Sequence, residues 1–275
     1  MYGKTFILAL AASPLVAAHG KIAVVQGDMG GNGTGLGIQG GVVPGPGRNA
    51  VTEVDTTVFG RTNIQTDGLG KTTGGGKNTV AGMKQAMAQS GDTLPQISPN
   101  GGKLTGTFHI VTTDGAGPLQ AVIDPTGTGA FSQGQVLQAS TQVPGKGGNI
   151  RPPKVRSVGQ LFTRSMDVIM RRASNVNSDY PMAFDIPAGT TCQGTMGDLQ
   201  NVCLVKIANS NRAGPFGGVV AMQIAGAGNG TTTATPVPAT NAGSSSGAAA
   251  KGSEGGKGGK GSDAQAAKAA KAFQA

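Results

Sequence analysis

The sequence predicts a mainly β protein: an antiparallel β-sandwich with long Gly-rich loops, one short helix and a disordered C-terminal tail. Three observations predict it. Short stretches alternate apolar and polar residues between turn signals, as strands of half-buried sheets do. A single stretch carries convincing helical spacing. Glycine supplies 49 of 275 residues while aromatics make up 4% and Trp is absent, a composition of turns and short strands rather than long helices. A β-barrel is the alternative closure of the same strands.

Taken in order, Lys21 to Val25 reads as the first strand, and Gly27 to Gly47 as a long loop. That loop lacks the GK[ST] ending of a phosphate-binding loop and has no strand–helix frame for a dinucleotide. A second Gly-rich loop spans Gly68 to Lys77. The helix follows: Asn78 or Thr79 caps it, Val80, Met83 and Met87 share a face, and Gly91 closes it. Methionines at that spacing are core contacts rather than soft metal ligands. In Lys103 to Thr112, Leu104, Phe108 and Ile110 fall on one face, and Thr105, Thr107, His109 and Val111 on the other. Leu119 to Ile123 and Val136 to Val143 are the next strands; Met166 to Met170 is a strand or a short helix. Met182, Phe184 and Ile186 alternate in a strand that should form a hairpin with Val202 to Ile207, and Val219 to Ile224 is the last strand. From about Gly228 the chain collapses to Gly, Ala, Ser, Thr and Lys, too little apolar surface to order itself. The expected organisation is therefore 1–18, 19–227 and 228–275.

Residues 1–18 read as a secretory signal peptide, with Lys4 in the basic region, an apolar run, and Val16 and Ala18 at the −3 and −1 positions. The chain is then secreted, or held inside the cell that makes it. No later stretch is apolar enough to span a bilayer, so no membrane span is expected. In an oxidising path Cys192 and Cys203, the only cysteines, pair; a two-thiolate metal site fits poorly because no histidine or third cysteine is near in sequence. Asn32 and Asn229 open N-glycosylation triplets. The net charge of +9 draws on tail lysines and on Arg151, Lys154, Arg156, Arg164, Arg171 and Arg172. No recognition motif accompanies it, so a host surface or an acidic cell-wall polymer is the expected partner, with no specific nucleic-acid binding, and the protein is expected to be a monomer.

Cleavage after Ala18 makes His19 the first residue, offering a metal its α-amine and its ring. His109 is the only other histidine. Three nitrogens suit Cu(II) or Zn(II), and the Irving–Williams order favours copper. A bland reading leaves His19 as a residue at a cleavage site and His109 as a strand residue. No GxSxG elbow supports a hydrolase. Nothing in the spacing of Asp55, Asp114, Asp124, Asp167 and Asp185 selects a glycosidase pair.

Several pieces then align with a known pattern: His19-Gly20, Gly60-Arg61-Thr62, Gly74 to Asn78, Phe108-His109 with Asp114 to Pro118, Val143-Pro144-Gly145, Cys203-Leu204-Val205 and Ala213 to Gly218. On these the chain resembles the fungal Egh16-like family of appressorium-specific virulence proteins. It departs at Ala121 and Val219, where that family often has cysteine. The resemblance implies an infection-stage protein without implying a catalytic activity. A more distant likeness is to copper-dependent lytic polysaccharide monooxygenases, which also begin with histidine and sit on an immunoglobulin-like sandwich. It implies a histidine brace of His19 and His109, with Phe216 as an axial neighbour and Gln223 as a hydrogen-bonding neighbour. Tyr180 is the only tyrosine left after cleavage, which counts against a flat aromatic polysaccharide platform. A copper-dependent oxidative enzyme, a non-catalytic copper binder and a wall-associated adhesive protein are the competing readings.

Overall fold

A computed structural model of the protein describes residues 20–40, 53–91, 93–151 and 175–227. The expected signal peptide, His19, the stretch Met166 to Met170 with Asp167, Lys154 to Arg172 of the basic cluster, Asn229 and the expected tail lie outside the described residues. The alternating stretches do form strands. They are β1 (Gly20–Gly27), β2 (Gly30–Gly33), β3 (Thr57–Val58), β4 (Lys71–Thr72), β5 (Gly76–Lys77), β6 (Gln96–Ile97), β7 (Gly102–Thr112), β8 (Leu119–Asp124), β9 (Gln135–Thr141), β10 (Asn175–Ile186), β11 (Gly194–Met196), β12 (Leu199–Asn209) and β13 (Phe216–Ile224).

Two layers face each other. One runs β2-β1-β7-β10-β9 and the other β9-β8-β12-β13-β3-β4-β5. Ile22, Leu104, Phe108 and Ile110 of the first pack against Ile123, Val205, Ile207, Val220 and Met222 of the second. This is the expected sandwich. Its layers are joined at both edges. β9 pairs with β8 through Gln135 to Leu137 and with β10 through Gln138 to Thr141. At the other edge the Thr93 and Gln96 carbonyls accept from Asn32 and Met29, while the Pro95 and Ile97 carbonyls accept from Gln223 and Ala225. A Cβ on Gly27 would stand 2.1 Å from the Gln96 carbonyl oxygen, so this edge closes only on glycine. β6 forms a ladder with β13 alone, which stops the arrangement short of a barrel.

The second layer is covered on its outer face too. Phe59, Ile64, Met83, Ala86, Phe131 and Met196 lie over Val122, Leu204, Ala208 and Val219. Burial on both faces explains why β12 and β13 read as nearly continuous apolar runs. It also encloses Lys206, whose parity on β12 sends it outward. Its ammonium lies 4.0 Å from the centroid of Phe59 and donates to the Thr66 carbonyl. Desolvation lowers its pKa to about 8, and Asp67 opposes the shift.

Some local expectations are corrected. The Gly68–Lys77 loop contains the small hairpin β4–β5. A 3-10 turn, Val80–Gly82, leads into the helix α1 (Met83–Ser90), and no side chain caps either. Asn78 is instead drawn to the Leu69 carbonyl and Thr72. Met83 is buried and Met87 packs on the core, as helical spacing implied. β10 and β12 are not a hairpin: β10 pairs with β7 and β9, and β12 with β8, β11 and β13. The Cys192–Cys203 disulfide is present, tying the chain entering β11 to β12.

Candidate functional site

β7 is the central strand of the first layer. Phe108 and Ile110 enter the core, which leaves His109 on the outer face of that layer with its side chain 17% exposed. Pairing sets Lys21 of β1 on one side of it and Asp179 of β10 on the other. His109 Nδ1 lies 2.7 Å from Asp179 Oδ1, and Nε2 lies 2.9 Å from Asn177 Oδ1.

Asn177 reaches the ring through a break in register. β10 pairs Asn175 with Thr112 and then Ser178 with Ile110, so Val176 and Asn177 together face Val111. Such a bulge re-aims side chains. Asn177 has φ 48°, left-handed backbone that asparagine tolerates better than most residues. On the other side of His109, the Lys21 ammonium stands 3.7 Å from the buried Asp55 carboxylate, whose other oxygen accepts from the Gln39 N–H. Lys21, Thr34, Asp55 and Gln89 line a cavity of about 280 Å³ beside this pair.

β1 starts at Gly20, opposite Ile110. A Cβ at Gly20 would meet the Gly115 carbonyl oxygen at 2.3 Å, so the start of β1 is seated on the turn that follows β7. That turn is organised by two buried asparagines. Asn209 donates to the Ala116 carbonyl and accepts from the Phe216 N–H; Asn211 donates to the Asp114 carbonyl and accepts from the Ala213 N–H. The motif segments 114–118, 143–145 and 213–218 therefore meet behind the start of β1, with Gly117 N–H donating to the Pro144 carbonyl.

Two expected site residues are not brought to His109. Phe216 has the strand parity of Val220 and Met222, which face between the layers, whereas His109 faces away from them. Gln223 is held by Gln96 and by the Gln200 carbonyl, next to the Gly27 end of β1. At about 3.3 Å per residue that is roughly 23 Å along the strand from Gly20. Asn32 is exposed on β2, with its side-chain oxygen accepting from Gln26.

Asp124 and Asp185 are each engaged by other groups. Asp124 is saturated by the N–H groups of Thr126, Gly129 and Ala130 and by the Thr126 hydroxyl. Asp185 lies on the exposed face, where hydrogen bonds from Lys103 and then Ser140 hold its carboxyl below the usual range. Among the described residues no three His, Cys, Asp or Glu side chains converge as metal ligands.

His109 itself has the support a metal-binding histidine uses. A carboxylate holds Nδ1 and fixes the ring, leaving Nε2 as the donor nitrogen. Asp179 gives that support while Asn177 covers Nε2, and sequence reading missed both. Their segment, Asn175 to Tyr180, carries no motif of its own. Only its proximity to β7 gives it meaning, and that is a long-range property.

A family model described as Egh16-like virulence factor matches residues 17–217. The chain is 40% identical over 225 residues to the appressoria-specific virulence factor GAS1 of Pyricularia oryzae, covering 81% of this chain and 79% of that protein. It is 34% identical over 154 residues to the appressoria-specific virulence factor GAS2 of the same fungus, covering 54% of this chain and 46% of that one. No solved structure matches it.

Proposed function

The chain belongs to the Egh16-like family, and on that premise we propose that it is an exported infection-stage protein acting when a fungal appressorium penetrates its host. Its working site in this reading is the outer face at the start of β1, where mature His19 and His109 hold copper. The observation that carries it is the register of β1 on β7. Lys21 faces His109 and Gly20 faces Ile110. Consecutive Cα atoms lie about 3.8 Å apart, so an N-terminal His19 stays within that distance of Gly20.

Bound copper would supply one-electron redox chemistry toward a wall or host-surface polymer. The chain's own contribution is positional. Asp179 holds Nδ1 and so orients Nε2; Asp55 draws Lys21 aside; and the seat on Gly115 fixes where β1 begins. The test uses secreted protein whose N-terminus is verified as His19. It should bind one equivalent of copper, and both His109→Ala and one added residue before His19 should abolish binding. Stoichiometric binding that survives both changes would refute the site.

A second reading rests on the same ring. Both nitrogens of His109 are already occupied by Asp179 and Asn177, which suits a purely structural histidine in a wall-associated protein. In that case a fungus carrying His109→Ala penetrates its host normally, while removal of 228–275 weakens surface attachment.

A further inference from the structure

We propose that Asn177 is a built-in competitor for the metal-binding nitrogen of His109 and sets how readily the site loads. This rests on the copper reading above. The ring is clamped from one strand at both nitrogens, and the two contacts differ in kind. Asp179 follows the regular β10 pairing, directly opposite His109. Asn177 meets Nε2 only because the bulge and a left-handed backbone turn it there. Nδ1 is the nitrogen that a supporting carboxylate keeps. Nε2 is the one a metal must take, and it is the one Asn177 Oδ1 faces at 2.9 Å.

Loading then replaces the Nε2–H···Oδ1 hydrogen bond with one metal bond: the Nε2 proton leaves to solvent and the asparagine amide must swing away. It can do so because Asn177 is exposed and water can receive the amide. Asp179 need not move. The resting protein thus carries its histidine oriented but covered, and copper taken up pays the cost of a single hydrogen bond, worth about two- to tenfold in affinity.

Asn177→Gly removes the amide and keeps the backbone freedom this position uses; Asn177→Ala is the companion should the glycine variant fold poorly. Two measurements are made on mature protein with His19 verified. The first is carbethoxylation of His109 in metal-free protein with diethyl pyrocarbonate, followed by peptide mass spectrometry; an uncovered Nε2 should react several-fold faster in the variant. The second is the copper dissociation constant, expected to fall about two- to tenfold. Copper binding by the parent protein with unchanged affinity and unchanged carbethoxylation in the variant overturns this inference and leaves the copper site standing. Absence of copper binding in both parent and variant overturns the copper site, and this inference with it.

Discussion

Replacing Asn211 by alanine tests whether the motif segments behind β1 are held by the asparagine hub. Asn211 is 5% exposed. Its amide donates to the Asp114 carbonyl at 2.6 Å and the Gly148 carbonyl at 3.3 Å, and its oxygen accepts the Ala213 N–H at 2.8 Å. Gly148 keeps the Ala116 N–H as a donor, so it loses little. The Ala213 N–H and the Asp114 carbonyl lose their Asn211 partner. Ala213 is exposed and Asp114 only half-buried, so water can replace part of what is lost, and the substitution should cost about 1–2 kcal/mol. At roughly 2–4 °C per kcal/mol for a domain of this size, Tm should fall by about 2–8 °C. Urea unfolding followed by far-UV circular dichroism measures it, with an unchanged m value showing that the loss is one of stability. Gln138→Ala is the control: its side chain is exposed and donates to the adjacent Ala139 carbonyl, so the change should stay within about 0.5 kcal/mol. A loss no larger than that of the control, within about 0.5 kcal/mol, would show that the hub does not hold these segments.

Other outcomes follow from the same geometry. Gly217→Ala would place a Cβ 1.9 Å from the Ile207 carbonyl oxygen and 2.8 Å from the Ala208 Cα, both backbone, and should cost at least about 3 kcal/mol; Gly60→Ala, whose nearest atom is 3.7 Å away, should cost under about 1 kcal/mol, and comparable melting temperatures would contradict this. Lys206 has a folded pKa of about 8 against 10.5 unfolded, so between those values the unfolded chain holds more protons and stability contributed through this group rises with pH. Lys206→Met should lack that rise, and parallel stability–pH curves for parent and variant from pH 8 to 10 would argue against a desolvated ammonium. Cys192→Ser with Cys203→Ser opens a short loop and should cost about 2–4 kcal/mol in thermal unfolding; a change under about 1 kcal/mol would assign the staple no stabilising role.

Much of the fold was legible because the strands carry period-two patterns against a two-layer core. Leu104, Phe108 and Ile110 announced the inner face of β7, and His109 the outer. What escaped was pairing. Cys192 and Cys203 are close in sequence, which suggested that β10 and β12 flank a turn, yet β11 intervenes and the two long strands go to different layers. The polar start of β10 was unreadable for a similar reason: Asn177 and Asp179 acquire their role from a bulge opposite Val111, and bulges leave little local signature. Phe216 and Gln223 were attached to the site through likeness to another family. Where they sit follows from strand parity and the length of β1, and neither can be read from a single motif.

One seven-residue strand belongs to both layers, as a spine belongs to both covers of a book. Pulling β9 away from either neighbour therefore unseats the other, and slippage by one position would turn both halves of β9 inside out together. The front and back of this molecule should melt as a single cooperative body, with amides of Leu137 and Ala139 exchanging at matched rates although they face different partners.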